Sequence, residues 1–175
     1  MKTNRENLLF ICRAAAIAAI YVVLSLLVPE LSYKVIQFRF SEALCILAVF
    51  TPAAVPGMTL GCFITNLILL AYGGNIFDVI FGTLATLIGI VGVYLLRKIP
   101  YIAALPYVLS NTLIIPFVLK WAYGFEDSLP AIFLSVGISE LIAAWVLGTL
   151  LWFFIRPVAP KIFGNDPSGV NAKKE

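Results

Sequence analysis

Thr51-Pro52-Ala53-Ala54-Val55-Pro56-Gly57 is the stretch on which the fold turns. It interrupts a long apolar run, residues 42 to 72, and its prolines read either as a kink in one long helix or as a tight turn between a short helix and a full one. On both sides the chain is strongly apolar. Of 175 residues, 62% are hydrophobic and 12% charged, the balance of an integral membrane protein rather than a soluble domain. Roughly 20 apolar helical residues cross about 30 Å of hydrocarbon, and the alternating segments of about 10 residues that build a transmembrane barrel are absent. Helices are therefore predicted at roughly residues 8 to 28, 76 to 96, 101 to 121 and 129 to 155. The N-terminal run is read as a retained first helix, because Pro29-Glu30 is no small-residue cleavage site.

Charge placement decides how the proline stretch is read. With six crossings and a cytoplasmic start, Lys2, Arg5, Arg13, Arg97, Lys98, Arg156, Lys161, Lys173 and Lys174 fall inside, leaving Lys34, Arg39 and Lys120 outside. That split obeys the preference for basic residues on the cytoplasmic side, whereas five crossings would send Arg97, Lys98 and the basic tail outside. The fold expected is an all-α integral membrane bundle of six transmembrane helices with both termini cytoplasmic. It forms a single membrane domain over residues 1–175, with the bundle at about 8–164 and a polar cytoplasmic tail at 165–175.

Polar groups at membrane depth mark the candidate site. A charge in mid-bilayer costs about 3 kcal/mol or more, so ionisable groups there face protein or a water-filled cavity. Ile36-Gln37-Phe38-Arg39-Phe40-Ser41-Glu42-Ala43-Leu44 sets an amide, a donor and an acceptor at a membrane mouth. In the six-crossing layout Glu42, Asn66, Asp78, Asn111, Lys120 and Glu140 gather in the outer half, the pattern of a solute site open to the outside. Asp78 shares a helical stripe with Gly82, Thr86 and Gly89, and Glu140 with Val136, Gly137 and Ala144, which aims both carboxylates inward. Each residue also has a plainer reading. Asp78 serves equally well as a helix N-terminal residue, Glu140 as half of an ion pair with Arg39 or Lys120, and Asn66 and Asn111 as glue between helices. Tyr107 and Phe63 lie one turn from Asn111 and Asn66, where they could stack on a flat ligand, though aromatic stripes are more often core.

Small residues point to close helix contacts. Gly57-x-x-x-Gly61 is read as internal packing, and the stripe Ala14, Ala15, Ala18 and Ala19 on the first helix as a smooth face for another subunit. Several chemistries are excluded. The chain has no His and no Cys-x-x-Cys, which removes a transition-metal site, and Cys12, Cys45 and Cys62 read as packing residues. No Gly-x-x-x-x-Gly-Lys-Ser/Thr phosphate loop is present, so no ATP is bound here by that route.

Three ordered motifs carry a resemblance. The stretch Ile36 to Leu44, then Pro56-Gly57-Met58-Thr59-Leu60-Gly61-Cys62-Phe63-Ile64-Thr65-Asn66, then Phe77-Asp78-Val79-Ile80-Phe81-Gly82-Thr83-Leu84-Ala85-Thr86, resemble the QueT family over nearly the whole chain. These are substrate-capture (S) components of energy-coupling factor (ECF) importers, assigned to queuosine precursors. The resemblance implies a substrate-binding membrane subunit of the bacterial cytoplasmic membrane, not an enzyme, with no cofactor of its own. It also implies partners: a transmembrane coupling protein that docks on the alanine stripe, and two ATPase subunits that use the ATP. The connection Pro29 to Ser41 would act as a lid, with Gln37 and Arg39 near the mouth. The implied solute is a 7-deazaguanine such as preQ1, preQ0 or queuine.

Chemistry then distributes expected roles. Glu140 or Glu42 would meet the two parallel N–H donors of the guanine edge, as a charged acceptor in a dry site strengthens each bond. Asn66, Asn111 or Gln37 would serve the carbonyl and ring nitrogens, Tyr107 would stack, and Asp78 would meet an aminomethyl cation. The competing readings are an S component for riboflavin, biotin, thiamine or folate, an intramembrane enzyme using Asp78 and Glu140, and a membrane scaffold without a ligand.

Overall fold

The two prolines make a turn, for local reasons. The Thr51 N–H bonds the Leu47 carbonyl (3.0 Å), the Thr51 hydroxyl accepts the Ala53 N–H (3.3 Å), and Ala54 N–H bonds the Thr51 carbonyl (3.2 Å) to start the next helix. Pro56 falls in that helix's first turn, where an N–H has no intrahelical partner and its loss deprives nothing.

The computed structural model describes residues 2–27 and 39–163. All regular structure among them is helical. Five helices are long and apolar enough to cross a membrane. They are α1 (Lys2–Leu26), α2 (Ala54–Ala71), α3 (Asp78–Leu95), α4 (Pro100–Ala122) and α5 (Leu129–Ile155), with a short α6 (Ala159–Phe163) after them. The four spans expected outside the proline region agree with these to within a few residues.

Between α1 and α2 lies a 3₁₀ helix, Phe40–Val49, in which nine of ten residues are buried. At about 2.0 Å per residue it covers about 20 Å, against about 15 Å for the same length of α-helix. It runs back along α1, since Ser41 bonds Ser25 near the end of α1 (2.7 Å) and Phe50 stacks on Phe163 at the opposite end (centroids 6.0 Å apart). The start of α1 and the last described helix meet there too, with Arg13 Nη2 donating to the Ile162 carbonyl (3.2 Å). Turns close the other end. Gly73 (φ +98°) ends α2, the Gly74 and Gly73 N–H groups bonding the Leu69 and Leu70 carbonyls at 2.9 and 3.3 Å.

Two glycines let α1 and α2 touch along their backbones. A Cβ on Gly57 would sit 2.8 Å from the Ala14 carbonyl oxygen, and one on Gly61 would sit 2.8 Å from Tyr21 Cβ and 3.1 Å from the Ala18 carbonyl oxygen. The glycine pair is internal packing, as its spacing suggested. It also divides the alanine stripe: Ala14 and Ala18 are buried in this contact, while Ala15 and Ala19 face outward.

The apolar core has two parts. One gathers the 3₁₀ helix with Ile17, Tyr21, Met58, Ile90, Tyr107, Val108 and Ala144, and the other is built from Ala85, Ile115, Leu119, Ile132 and Val136. Along α4 the seam between them falls at Asn111, and along α5 at Glu140.

Overpacking the glycine contact has a stated cost. Gly61→Val is expected to destabilise the protein by about 1–3 kcal/mol, the usual range for added methyl groups in a filled interface. A lower melting temperature in detergent for Gly61→Val, with none for Ala15→Val, checks this.

Candidate functional site

Arg39, Glu42, Gly82, Asn111, Ile115 and Glu140 line one small cavity at the core seam. They come from the 3₁₀ helix and its N-cap, the head of α3, the middle of α4 and α5, and three of those helices leave α geometry here. Glu42 sits in the 3₁₀ helix, Gly82 closes a π-helical turn (Asp78–Gly82) at the head of α3, and Glu140 directly precedes another (Leu141–Val146) within α5. Such turns shift the residues beside them relative to a regular helix and concentrate at functional sites. The cavity traced by the centre of a water is about 10 Å3, room for about one water.

The carboxylates are the unusual feature. Glu42 and Glu140 are buried, and the Oε2 atom of each is enclosed without a hydrogen-bond partner among the described residues. Glu42 Oε1 accepts from the Tyr21 hydroxyl (3.3 Å), and the Tyr107 hydroxyl lies beside the same carboxylate. Tyr107 also meets Thr86 Oγ1 (3.3 Å), so Glu42 is oriented by tyrosines on α1 and α4. Asn111 uses an N–H on the Tyr107 carbonyl (3.1 Å), which leaves its own carbonyl oxygen for the cavity. Arg39, half-buried at the head of the 3₁₀ helix, is the one cation among the lining residues.

Other candidates lie elsewhere. Asn66 Nδ2 donates to the Asp78 carbonyl (2.9 Å) and to Cys62 Sγ (3.4 Å), tying α2 to the start of α3 behind Gly82. The Asp78 carboxylate accepts the Tyr123 hydroxyl, and Asn75 N–H donates to that same hydroxyl oxygen (3.1 Å), which locks the α2–α3 turn to the end of α4. Asp78 is thus engaged by Tyr123 and is not among the residues lining the cavity. Lys120 is not a partner for Glu140: its ammonium caps α4 on the Phe125 and Asp127 carbonyls, both at 2.9 Å. Phe63 is 40% exposed and is not among the residues lining the cavity. Gln37 and most of the Pro29 to Ser41 connection lie outside the described residues.

Tyr21, Gly82 and Ile115 complete the arrangement and were not picked out from sequence. For Tyr21 a signal existed: a tyrosine hydroxyl on the same stripe as Ile17 and Ala18 inside an apolar helix must find a partner. A larger hollow lies elsewhere. A groove of about 580 Å3 between α3 and α4, lined by apolar side chains such as Phe81, Leu113, Phe117 and Trp121, offers a polar solute little to bind.

The family described as QueT transporter matches residues 11–157. The chain belongs to the QueT transporter family. It is a multi-pass protein of the bacterial cytoplasmic membrane and not an enzyme. The matched span includes every residue lining the cavity and most of α1. The queuosine precursor transporter QueT of Lactococcus lactis subsp. cremoris (strain MG1363) is 38% identical over 76 residues, which is 42% of this chain and 43% of that protein. The alignment therefore spans under half of the relative. No solved structure matches the chain.

The latch beside the site can be tested directly. Tyr123→Phe leaves the buried Asp78 carboxylate without this donor and is expected to cost about 1–3 kcal/mol, the range for a hydrogen bond to a charged group. Faster amide exchange at residues 75–82 and a lowered melting temperature would show it.

Proposed function

We propose that this chain is the substrate-capture subunit of an ECF-type importer and that it binds a 7-deazaguanine precursor of queuosine at the Glu42–Glu140 cavity. One observation carries the reading: two buried carboxylates at membrane depth, each with an enclosed oxygen lacking a donor, face a common cavity inside a transporter-family fold. Enclosed acceptors of this kind are costly unless something donates to them. A guanine-type edge supplies two parallel N–H donors at the spacing of a carboxylate. Arg39 provides donors for the ring carbonyl, and Asn111 an acceptor for a ring N–H. The cavity is too small for a bicyclic ligand as it stands, so binding opens it. Arg39, at the end where Ser25 meets Ser41, is the lining residue nearest the undescribed connection and the natural one to move.

Six crossings with both termini cytoplasmic suit this role. The 3₁₀ helix supplies the short sixth crossing, and Arg13, Arg97 and Arg156 gather at the end where α1 begins and α5 stops, as basic residues do on the cytoplasmic side. The cavity then lies in the outer half. The transmembrane coupling protein docks on the outward face of α1, where Ala15 and Ala19 are exposed. Only 28% of the membrane-spanning window of α1 is buried in the bundle, the smallest share of the five helices, which leaves that face free for a partner. Two ATPase subunits on the coupling protein provide the energy.

Melting of the purified protein against queuine, preQ1, preQ0, guanine, riboflavin and biotin tests the capture role, since a ligand at about 100 times its Kd adds about 2.7 kcal/mol to a folded state it alone binds. A shift confined to deazaguanines is expected, and a shift only with riboflavin or biotin would discard the substrate. Coupling is tested separately: Ala15→Leu with Ala19→Leu is expected to leave the melting shift intact while uptake by cells carrying the whole importer falls at least tenfold.

A further inference from the structure

The end of the bundle where α1 begins and α5 stops is strongly basic. Among the described residues Arg5, Arg13, Arg97, Lys98, Arg156 and Lys161 gather there against Glu6. The chain beyond residue 163 adds Lys173 and Lys174 but also Asp166 and Glu175, so it leaves that surplus unchanged. Two of the arginines are held in place by rings. Arg97 Cζ lies 4.1 Å from the centre of the Tyr94 ring while its Nη1 donates to the Tyr94 carbonyl (3.3 Å), and Arg156 Cζ lies 5.1 Å from the centre of Trp152. Trp152 is buried and makes an edge contact with Tyr101, the second residue of α4 (centroids 5.2 Å apart). The α3–α4 turn that carries Arg97 is therefore packed against the end of α5 that carries Arg156.

A ring engages a guanidinium through its face and leaves the N–H donors at its rim for other partners. Those donors are largely unspent. Arg97 Nε is enclosed with no acceptor among the described residues, and neither arginine pairs with a described carboxylate. What adjoins them is apolar: Leu95 and Ile99 flank Arg97 in sequence, Phe153 and Phe154 precede Arg156 by one turn or less, and all four are exposed. A free anion would match the guanidinium groups and leave these side chains uncovered. A molecule with an anionic head and hydrocarbon tails matches both.

We propose that the α3–α4 turn and the end of α5 form a binding site for an anionic phospholipid, Arg97 and Arg156 gripping the phosphate and the adjoining apolar side chains seating the acyl chains. A guanidinium meets a phosphate with two parallel N–H bonds, and basic clusters at helix ends on the membrane surface attract anionic headgroups. The charge surplus selects a headgroup that is negative overall. The ammonium of a zwitterionic lipid would be set against a rim that is already positive. None of these residues lines the Glu42–Glu140 cavity or belongs to the alanine face of α1, so the site stands apart from the ligand and coupling readings above.

Native mass spectrometry of the full chain, released from nanodiscs of equal phosphatidylglycerol and phosphatidylcholine, tests it. The unaltered protein is expected to retain phosphatidylglycerol at least fivefold over phosphatidylcholine. Arg97→Gln with Arg156→Gln should bring the two lipids within about twofold of each other, whereas Lys98→Gln with Lys161→Gln, which removes the same charge from the same end, should keep a preference of at least threefold. In detergent, added phosphatidylglycerol should raise the melting temperature of the unaltered protein and inorganic phosphate should not. Equal retention of the two lipids by the unaltered protein overturns the proposal. So does equal loss of preference in the arginine and lysine pairs, which would make it a matter of net charge alone, and so does a melting shift with phosphate as large as with the lipid, which would make the site one for a free anion. Arginine variants that keep the lipid preference but no longer assemble with the coupling and ATPase subunits would assign these residues to that interface and overturn it as well. Should the arginine pair not fold, Arg156→Gln alone, whose side chain makes no hydrogen bond among the described residues, decides by the same ratio.

Discussion

Everything near the cavity depends on two carboxylate oxygens that have no donor among the described residues. In water such an atom is satisfied at once, but inside a membrane bundle it is among the least favourable groups to enclose. The fold nonetheless brings Glu42 and Glu140 to one cavity on the seam between its two apolar clusters. Tyrosines on α1 and α4 hold Glu42, while no described residue donates to the enclosed oxygen of either carboxylate. A packing role would have filled these positions with apolar side chains or supplied donors, so the arrangement makes sense as half of an interaction whose other half arrives from outside.

The scaffold around the cavity is rigid where the site requires it. Backbone contact at Gly57 and Gly61 fixes α1 on α2, and this in turn sets the Tyr21 hydroxyl against Glu42. Asn66 and the Asp78–Tyr123 pair fasten the head of α3, whose π turn delivers Gly82 to the cavity wall. Gly82 has no side chain there: a Cβ would meet Asn66 Nδ2 at 3.1 Å. One helix thus has two separate duties. The inner stripe of α1 reaches the cavity-lining Glu42 through Tyr21, and its outer stripe, with Ala15 and Ala19, faces away from the bundle.

Much of this was legible in the chain, for reasons that can be named. Helix positions follow from the length of apolar runs, and the choice of a turn over a kink at Pro52 and Pro56 from the side on which the basic residues fall. Inward aim of Glu140 follows from its stripe with Val136 and Ala144, both buried. Spacing also placed Asp78 on an inward stripe, correctly, yet could not say which inward neighbour it would meet. Tyr123 lies 45 residues away, and their bond arises only once α3 and α4 are packed. Lys120 and Asn66 were grouped with the site for the same reason. Depth in the membrane is common to them all, but rotation about each helix axis and the local turns decide who faces the cavity.

The sequence by itself determined that the chain is a helical membrane protein, where its main spans lie, and which few residues carry charge at depth, because the hydrocarbon thickness and the cost of buried charge act on composition and spacing alone. Only the tertiary structure decided that the alanine stripe is split between an inner and an outer face, that Asp78 is bonded by Tyr123, and that Glu42 and Glu140 each keep an enclosed Oε2 without a partner among the described residues. Those are matters of which atoms from distant segments come within about 3 Å of each other, the reach of a hydrogen bond, and no periodicity within a single helix encodes that distance.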